Sequence, residues 1–257
     1  MLGAIGGDIV GSIYERRQIK TKEFPLFDSR CRFTDDTVLT VAIAYAILTN
    51  TDYGEALRLI GRRYPNAGYG GSFIDWLLGP DSAPYNSWGN GSAMRVSPVG
   101  LAFTSEAEVL HHAEQTASVT HNHPEGVKGA QATALAVFLA RHGTGKEEVR
   151  KVISNRFGYH LDASVADIRP GYAFDVSCQG TVPQAIVCFL DSDSYEDAIR
   201  NAVSLGGDSD TLACIAGGIA EAFYGGVPKQ VSQKIYDLLP SDLLSITEDF
   251  CSRFARY

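Results

Sequence analysis

Apolar residues recur along this chain at spacings of three and four, which places them on one face of an α-helix. Val38, Val41, Ile43, Ala44, Tyr45 and Leu48 make one such face, and Ala132, Leu135, Ala136, Phe138 and Leu139 make another. Strict alternation, the mark of a half-buried strand, is hard to find. Start signals precede several of the runs: Ser105 with Glu108, Ser194 with Asp197, and Pro124 in a first turn after His123. Stops follow at Gly143 with Gly145, at Gly225 with Gly226 before Pro228, and at Pro240. The pattern predicts an all-α fold of ten or more helices. Two stretches break it, residues 65–91, rich in Gly, Pro, Asn and Ser, and residues 157–181, around Pro170 and Gly171. Long irregular segments inside compact domains usually carry function.

The 257 residues are 45% hydrophobic, enough to bury a large core, and the expectation is one domain spanning 1–257. The apolar start, MLGAIGGDIVGSIYERR, lacks the basic leader of a signal peptide and contains Asp8 and Glu15, so it reads as a core helix. Its Gly3, Gly6, Gly7 and Gly11 would let a neighbouring helix pack at close range. Asp8 and Glu15, seven residues apart, would share a face, Asp8 accepting hydrogen bonds from loop amides and Glu15 free at the helix end for acid/base work. The longest apolar candidate, Val38 to Leu48, is about half of the roughly 20 residues that cross a bilayer. Five cysteines form no CxxC pair, and their odd number argues against a disulfide framework. A soluble, cytoplasmic, monomeric protein is expected.

A net charge of −8 without a basic stripe excludes an extended nucleic-acid surface. An anionic substrate would then need local devices: backbone N–H groups, helix N-termini or bound cations.

Such devices are present. Thr34-Asp35-Asp36-Thr37 opens the helix that begins near Val38, and Gly206-Gly207-Asp208-Ser209-Asp210-Thr211 opens another. Either motif alone is explained by helix capping. Two of them supply four carboxylates and several hydroxyls, the oxygen ligands that hard divalent cations require. The helix N-termini would hold those carboxylates ionised. Asp191-Ser192-Asp193-Ser194 has similar composition but precedes Tyr195, Glu196 and Asp197, and reads as plain capping. Trp88-Gly89-Asn90-Gly91-Ser92-Ala93-Met94-Arg95 is a glycine turn leading into a helix, suited either to phosphate oxygens or to a tight turn capped by Ser92. In Thr120-His121-Asn122-His123-Pro124, His121 is a candidate substrate contact and His123 a structural residue. The other four histidines read as surface residues, and Arg95 as a phosphate contact or an ion pair.

Taken in order, GDIVGSIYE, FTDDT, GNGSAMR, THNHPEGVKGAQA and GGDSDTLACIAGGIAEAFYG resemble the motifs of the ADP-ribosylglycohydrolase family, also called the dinitrogenase-reductase-activating glycohydrolase type. The resemblance runs from about Leu2 to Tyr224. It implies a compact, orthogonal multi-helix domain with two magnesium ions, or manganese as a substitute, at the bottom of a cleft that holds ADP-ribose. It assigns the metal ligands to Thr34, Asp35, Asp36, Asp208, Asp210 and Thr211. Gly89, Asn90, Gly91, Ser92 and Met94 fall on the stretch that holds the diphosphate and proximal ribose, and His121 on a substrate contact. Glu15 matches the flexible glutamate of members related to serine-type hydrolases, and with Asp35, Asp36 and Asp208 forms the catalytic set.

The implied activity is magnesium-dependent release of ADP-ribose from a modified protein or small molecule, by cleavage at the anomeric carbon of the distal ribose. Two alternatives remain: hydrolysis of an O-acyl-ADP-ribose or related small molecule, and a non-catalytic ADP-ribose-binding or structural protein. Relatives acting on ADP-ribosyl-arginine carry an acidic residue after the first metal helix. Here only Asp75 is available, which puts arginine specificity in doubt.

Overall fold

The computed structural model describes residues 1–80 and 83–254, so Asp81 and Ser82 of the irregular 65–91 stretch lie outside it. Fifteen helices run through the described residues. The first eight are α1 (Leu2–Gly11), α2 (Asp35–Thr49), α3 (Tyr53–Gly61), α4 (Gly71–Leu78), α5 (Gly91–Met94), α6 (Ser97–Ala102), α7 (Glu106–Ser118) and α8 (Pro124–Arg141). They are followed by α9 (Lys146–Phe157), α10 (Val165–Ile168), α11 (Cys178–Leu190), α12 (Tyr195–Ser204), α13 (Ser209–Tyr224), α14 (Lys229–Leu238) and α15 (Ser241–Phe254). No strand occurs among the described residues, and a single bridge joins Gly89 to Ser177. The all-α reading of the sequence holds.

The start signals act as the sequence suggests. Ser105 and Glu108 form a reciprocal capping box, Ser194 accepts from the Asp197 amide, and His123 caps α8 ahead of Pro124. Gly225 ends α13 in the left-handed conformation that spares it a Cβ clash. Asp193 donates its amide to Asp197 Oδ2 at 3.2 Å in local capping of α12, whereas the Asp191 carboxylate accepts from Val165 N at 2.6 Å, at the start of α10.

Helix α13 is the axis of the molecule: Ser209 through Ala222 are all buried, and α1, α8, α11 and α12 pack around it. The α1–α13 contact explains the N-terminal glycines. A Cβ on Gly7 would lie 2.0 Å from the Ala213 carbonyl oxygen, and one on Gly3 would lie 2.3 Å from that of Gly217. Only glycine allows this backbone approach, which offsets its low helix propensity. Helix α2 is likewise buried from Asp36 to Ala44. The consequence for function is that the N-termini of α2 and α13 meet, with Thr211 Oγ1 donating to Asp36 Oδ2 across 3.5 Å.

Three expectations are corrected. Helix α1 stops at Gly11, so Glu15 sits in the following turn and does not share a helical face with Asp8. The ring of Tyr14, in the turn after α1, packs on Phe24, 5.0 Å between centroids. The two irregular stretches contain the short helices α4 and α10, α4 seating Phe73, Trp76 and Leu77 in the core. His112 is half-buried, stacked on Phe103 and bonded to Tyr53.

Candidate functional site

Thr34 is the N-cap of α2, its hydroxyl accepting from the Asp36 amide at 3.3 Å. Capping does not exhaust the motif, because Asp8, fully buried on α1, reaches the same turn. Its carboxylate accepts from Thr34 N at 2.9 Å, Thr34 Oγ1 at 2.7 Å, Thr37 N at 3.1 Å and Thr37 Oγ1. Asp8 therefore accepts loop amides as the sequence suggests, and it braces the hydroxyl of Thr34 from behind.

In front of that brace the carboxylates crowd together. Oxygen atoms of Asp8, Asp36 and Asp210 lie within 4.8 Å of one another, all three buried. Asp36 and Asp210 are pushed well above the usual carboxylate range, first by burial and then by the neighbouring acids. Asp35, at the pocket wall, is pushed up to about 8 by burial and by Asp8, and Asp8 to about 6 by burial. Burial and mutual repulsion thus outweigh the helix N-termini, as closely spaced carboxylates do until cations neutralise them. Among the described residues no Lys or Arg pairs with these acids, and Asp36 Oδ1 has no hydrogen-bond partner. An orphaned oxygen in an all-oxygen donor set is what a hard divalent cation would satisfy, and the residues fit one.

Asp208 stands at the N-cap position of α13 without a side-chain capping bond; it is 7% exposed, and its Oδ2 accepts from Asn90 Nδ2 at 2.7 Å. That bond ties the glycine turn to the acidic cluster. Asn90 is itself held by its amide on Val176 O at 2.7 Å and by Nδ2 on Thr181 Oγ1 at 3.1 Å. Met94 lies beneath Thr211, with its Sδ 4.0 Å from the threonine hydroxyl.

These groups open into one cavity of about 450 Å³. Its walls include Glu15, Thr34, Asp35, Asp36, Asp208, Asp210 and Thr211 at one end, and Gly89, Asn90, Gly91, Met94 and His121 along the side. Ser92 is absent from the walls. It is buried, it does not cap α5, and its hydroxyl donates to Gly126 O at 2.7 Å. The turn glycines are needed for space rather than for positive φ, since a Cβ on Gly91 would stand 3.1 Å from His121 Nε2. Gly68 does require φ +115°, and it lies against Asp35 on the opposite wall.

Glu15 is half-buried, and its pKa is raised by burial and by Asp208, with Arg16 and Arg32 pulling the other way. Both arginines line the same end of the cavity. Arg95 is completely buried, and its Nη2 donates to Thr116 O at 2.8 Å and Thr120 Oγ1 at 2.9 Å instead of forming the expected ion pair. Asp75 is exposed on α4 and lies outside the cavity walls. Tyr85, Phe174 and Val176, which the sequence did not single out, line the cavity from within the two irregular stretches. Phe174 and Val176 are about half exposed, as is Trp88, which packs on His123.

A family model described as ADP-ribosylglycohydrolase matches residues 1–257. The chain is 28% identical to ADP-ribosylhydrolase ARH3 of Homo sapiens, the match covering 95% of this chain and 90% of that one. It is 32% identical to ADP-ribosylarginine hydrolase Tri1 of Pseudomonas putida, over 57% of this chain and 42% of that one. Among solved structures, an ADP-ribosylglycohydrolase-related protein complex aligns with a TM-score of 0.71 at 22% identity, covering 98% of this chain and 96% of that one.

Proposed function

The chain belongs to the ADP-ribosylglycohydrolase family and is a hydrolase, and we propose that it releases ADP-ribose from a modified protein or small molecule by cleaving the bond at the anomeric carbon of the distal ribose. The observation that carries this reading is one cavity in which buried, cation-deficient carboxylates at one end are joined by Asn90 to a glycine turn facing His121 at the other.

Thr34, Asp35, Asp36, Asp208, Asp210 and Thr211 would hold two magnesium ions. Bound there, the ions supply positive charge among the carboxylates and polarise oxygen ligands such as ribose hydroxyls and water. Asp8 fixes the rotamer of Thr34, and Asn90 fixes that of Asp208, so the ligand set is pre-organised. The turn from Gly89 to Gly91 brings its backbone beside His121, a setting for the diphosphate. Tyr85 and Phe174 offer ring surfaces to the adenosine.

Glu15 would manage protons, a role supported by its position on the cavity wall. Its raised pKa lets the carboxyl give a proton to the leaving oxygen or nitrogen, or take one from the attacking water. Water oxygen bonds to the anomeric carbon, the bond to the aglycone breaks, and the proton passes to the aglycone. The carboxylates around the ribose favour the oxocarbenium character that develops.

The test is a panel of ADP-ribosylated substrates, linked through serine, arginine or an acyl group, with products identified by mass. The expected result is free ADP-ribose and an unmodified aglycone from at least one linkage. Glu15→Gln should lower that rate by about 10²–10⁴-fold, the usual worth of a general acid/base. Phosphate-ester cleavage products, or no release from any linkage, would count against the reading.

A further inference from the structure

Between Glu15 and Thr34 the chain carries Arg16, Arg17, Lys20, Lys22, Arg30 and Arg32, a basic stretch in a protein whose net charge is −8. Lys20, Lys22 and Arg30 are occupied locally. Lys20 donates to Tyr172 O at 2.5 Å and to Leu205 O, Lys22 pairs with Asp197 at 2.5 Å, and Arg30 pairs with Asp28 at 2.7 Å. The side chains of Arg16, Arg17 and Arg32 are exposed and make no hydrogen bond or ion pair among the described residues. Arg16 and Arg32 stand on the cavity wall, and Glu15 feels their charge without pairing with either. Arg17 is off that wall, and its charge acts on Asp28.

The backbone behind both wall arginines is fixed. Arg32 N donates to Ser12 Oγ at 3.2 Å, between buried Cys31 and buried Thr34. Arg16 sits in the turn closed by Arg17 N donating to Tyr14 O at 3.2 Å. Neutralising the acidic cluster does not account for them, because Asp36 and Asp210, which most need a counter-charge, are buried and paired with neither. On the reading given above, Glu15 marks where the aglycone leaves, so the groups beside Glu15 are what the aglycone meets. A guanidinium fork matches a carboxylate through two parallel hydrogen bonds and repels another cation.

Resting on that reading for the direction in which the substrate lies, we propose that Arg16 and Arg32 are specificity-determining residues that bind a carboxylate flanking the modified residue, so that the preferred substrate is an ADP-ribosylated acidic peptide. A polynucleotide would need a longer track of free cations, and this stretch adds only Arg17, outside the cavity. An arginine aglycone would bring like charge against the pair, in keeping with Asp75 lying outside the cavity walls.

The probes are peptides of one length, made in the linkages of the panel above, with the modified residue flanked by Glu, Gln or Lys, and an oligonucleotide carrying ADP-ribose on a terminal phosphate. The measurements are kcat/KM with magnesium and, independently of turnover, Kd by fluorescence anisotropy in chelator. The Glu-flanked peptide should exceed the Gln-flanked one about tenfold in both, since exposed ion pairs are worth about two- to fivefold each. The Lys-flanked peptide should fall below both, and the spread should shrink at high salt. Arg16→Gln combined with Arg32→Gln should erase the preference, and Arg17→Gln should keep it. Arginines that act only by tuning Glu15 would change every peptide by one factor and shift the pH profile, which overturns the proposal. Equal values for the flanks, or an oligonucleotide preferred to every peptide, overturns it too. If affinity follows the flanks and the double variant but no probe releases ADP-ribose, the carboxylate site stands and the hydrolytic reading falls. Release without any preference leaves that reading standing and sinks the proposal.

Discussion

Asp36 concentrates the electrostatic tension of the site, being 2% exposed, surrounded by Asp8, Asp35, Asp208 and Asp210, and left with one oxygen unpartnered. Removing its charge should therefore help the protein when no divalent cation is present. Asp36→Asn is expected to raise the stability of chelator-treated protein at pH 8 by on the order of 1 kcal/mol. It should also abolish the rise in melting temperature that magnesium gives the wild type. Thermal unfolding with and without the metal checks both, and a destabilised variant that still responds to magnesium would contradict the account. His121 gives a prediction of pH dependence. Its imidazole is pushed well below 6.5, first by burial and then by Arg95, so between pH 6.5 and the folded value the unfolded chain binds the proton and the folded chain does not. Stability from this group is present above 6.5 and is lost as the pH falls below it. Asp8, raised to about 6, acts in the opposite direction, so the comparison is with a variant and not with a flat line. His121→Gln should show a shallower acid-side loss of urea stability than the wild type between pH 6.5 and 5; equal slopes would contradict it.

Helices α1, α2 and α13 make the site by arriving at one place, and the glycines of α1 set how close they come. Gly7→Ala should lower the urea midpoint by the equivalent of about 1–3 kcal/mol or more, since its Cβ would stand 2.0 Å from a backbone oxygen that cannot move alone. Gly171→Ala, with open space around the new Cβ, is the control expected to stay within about 0.5 kcal/mol. Equal effects at the two positions would contradict the close-packing explanation. At this scale much was legible. Thr34, Asp36, Asp210 and Thr211 come together because each opens a strongly apolar helix, and such helices pack in the core with their first turns fixed. Glycine spacing in α1 likewise announced a close neighbour. The turn that carries Glu15 was not legible, because α1 ends at Gly11 without a local stop signal and Tyr14 then packs on Phe24, a contact no local pattern displays. Phe174 and Val176 carry no signal because their stretch has no period, and Ser92, expected as a substrate contact or a cap, instead donates to Gly126 O, a partner 34 residues away that no local pattern displays. Arg95 was read as an ion pair because a buried guanidinium without a carboxylate is rare.

At the scale of the whole molecule, the chain carries a net charge of −8, and the fifteen helices of its described residues enclose a cavity whose proposed substrate has the same sign. None of the described helices is long and apolar enough to cross a membrane. On the proposed reading the charge is met locally, by His121 beside the glycine turn at one end and by a carboxylate cluster suited to divalent cations at the other. The measurement that tests this most directly is the initial rate of ADP-ribose release from a modified substrate by chelator-treated protein, before and after magnesium is restored. The account predicts negligible release without the metal and recovery of at least about 100-fold on its return, with Asp208→Asn failing to recover. Full activity of the chelated protein, or an Asp208→Asn variant that recovers like the wild type, would contradict it.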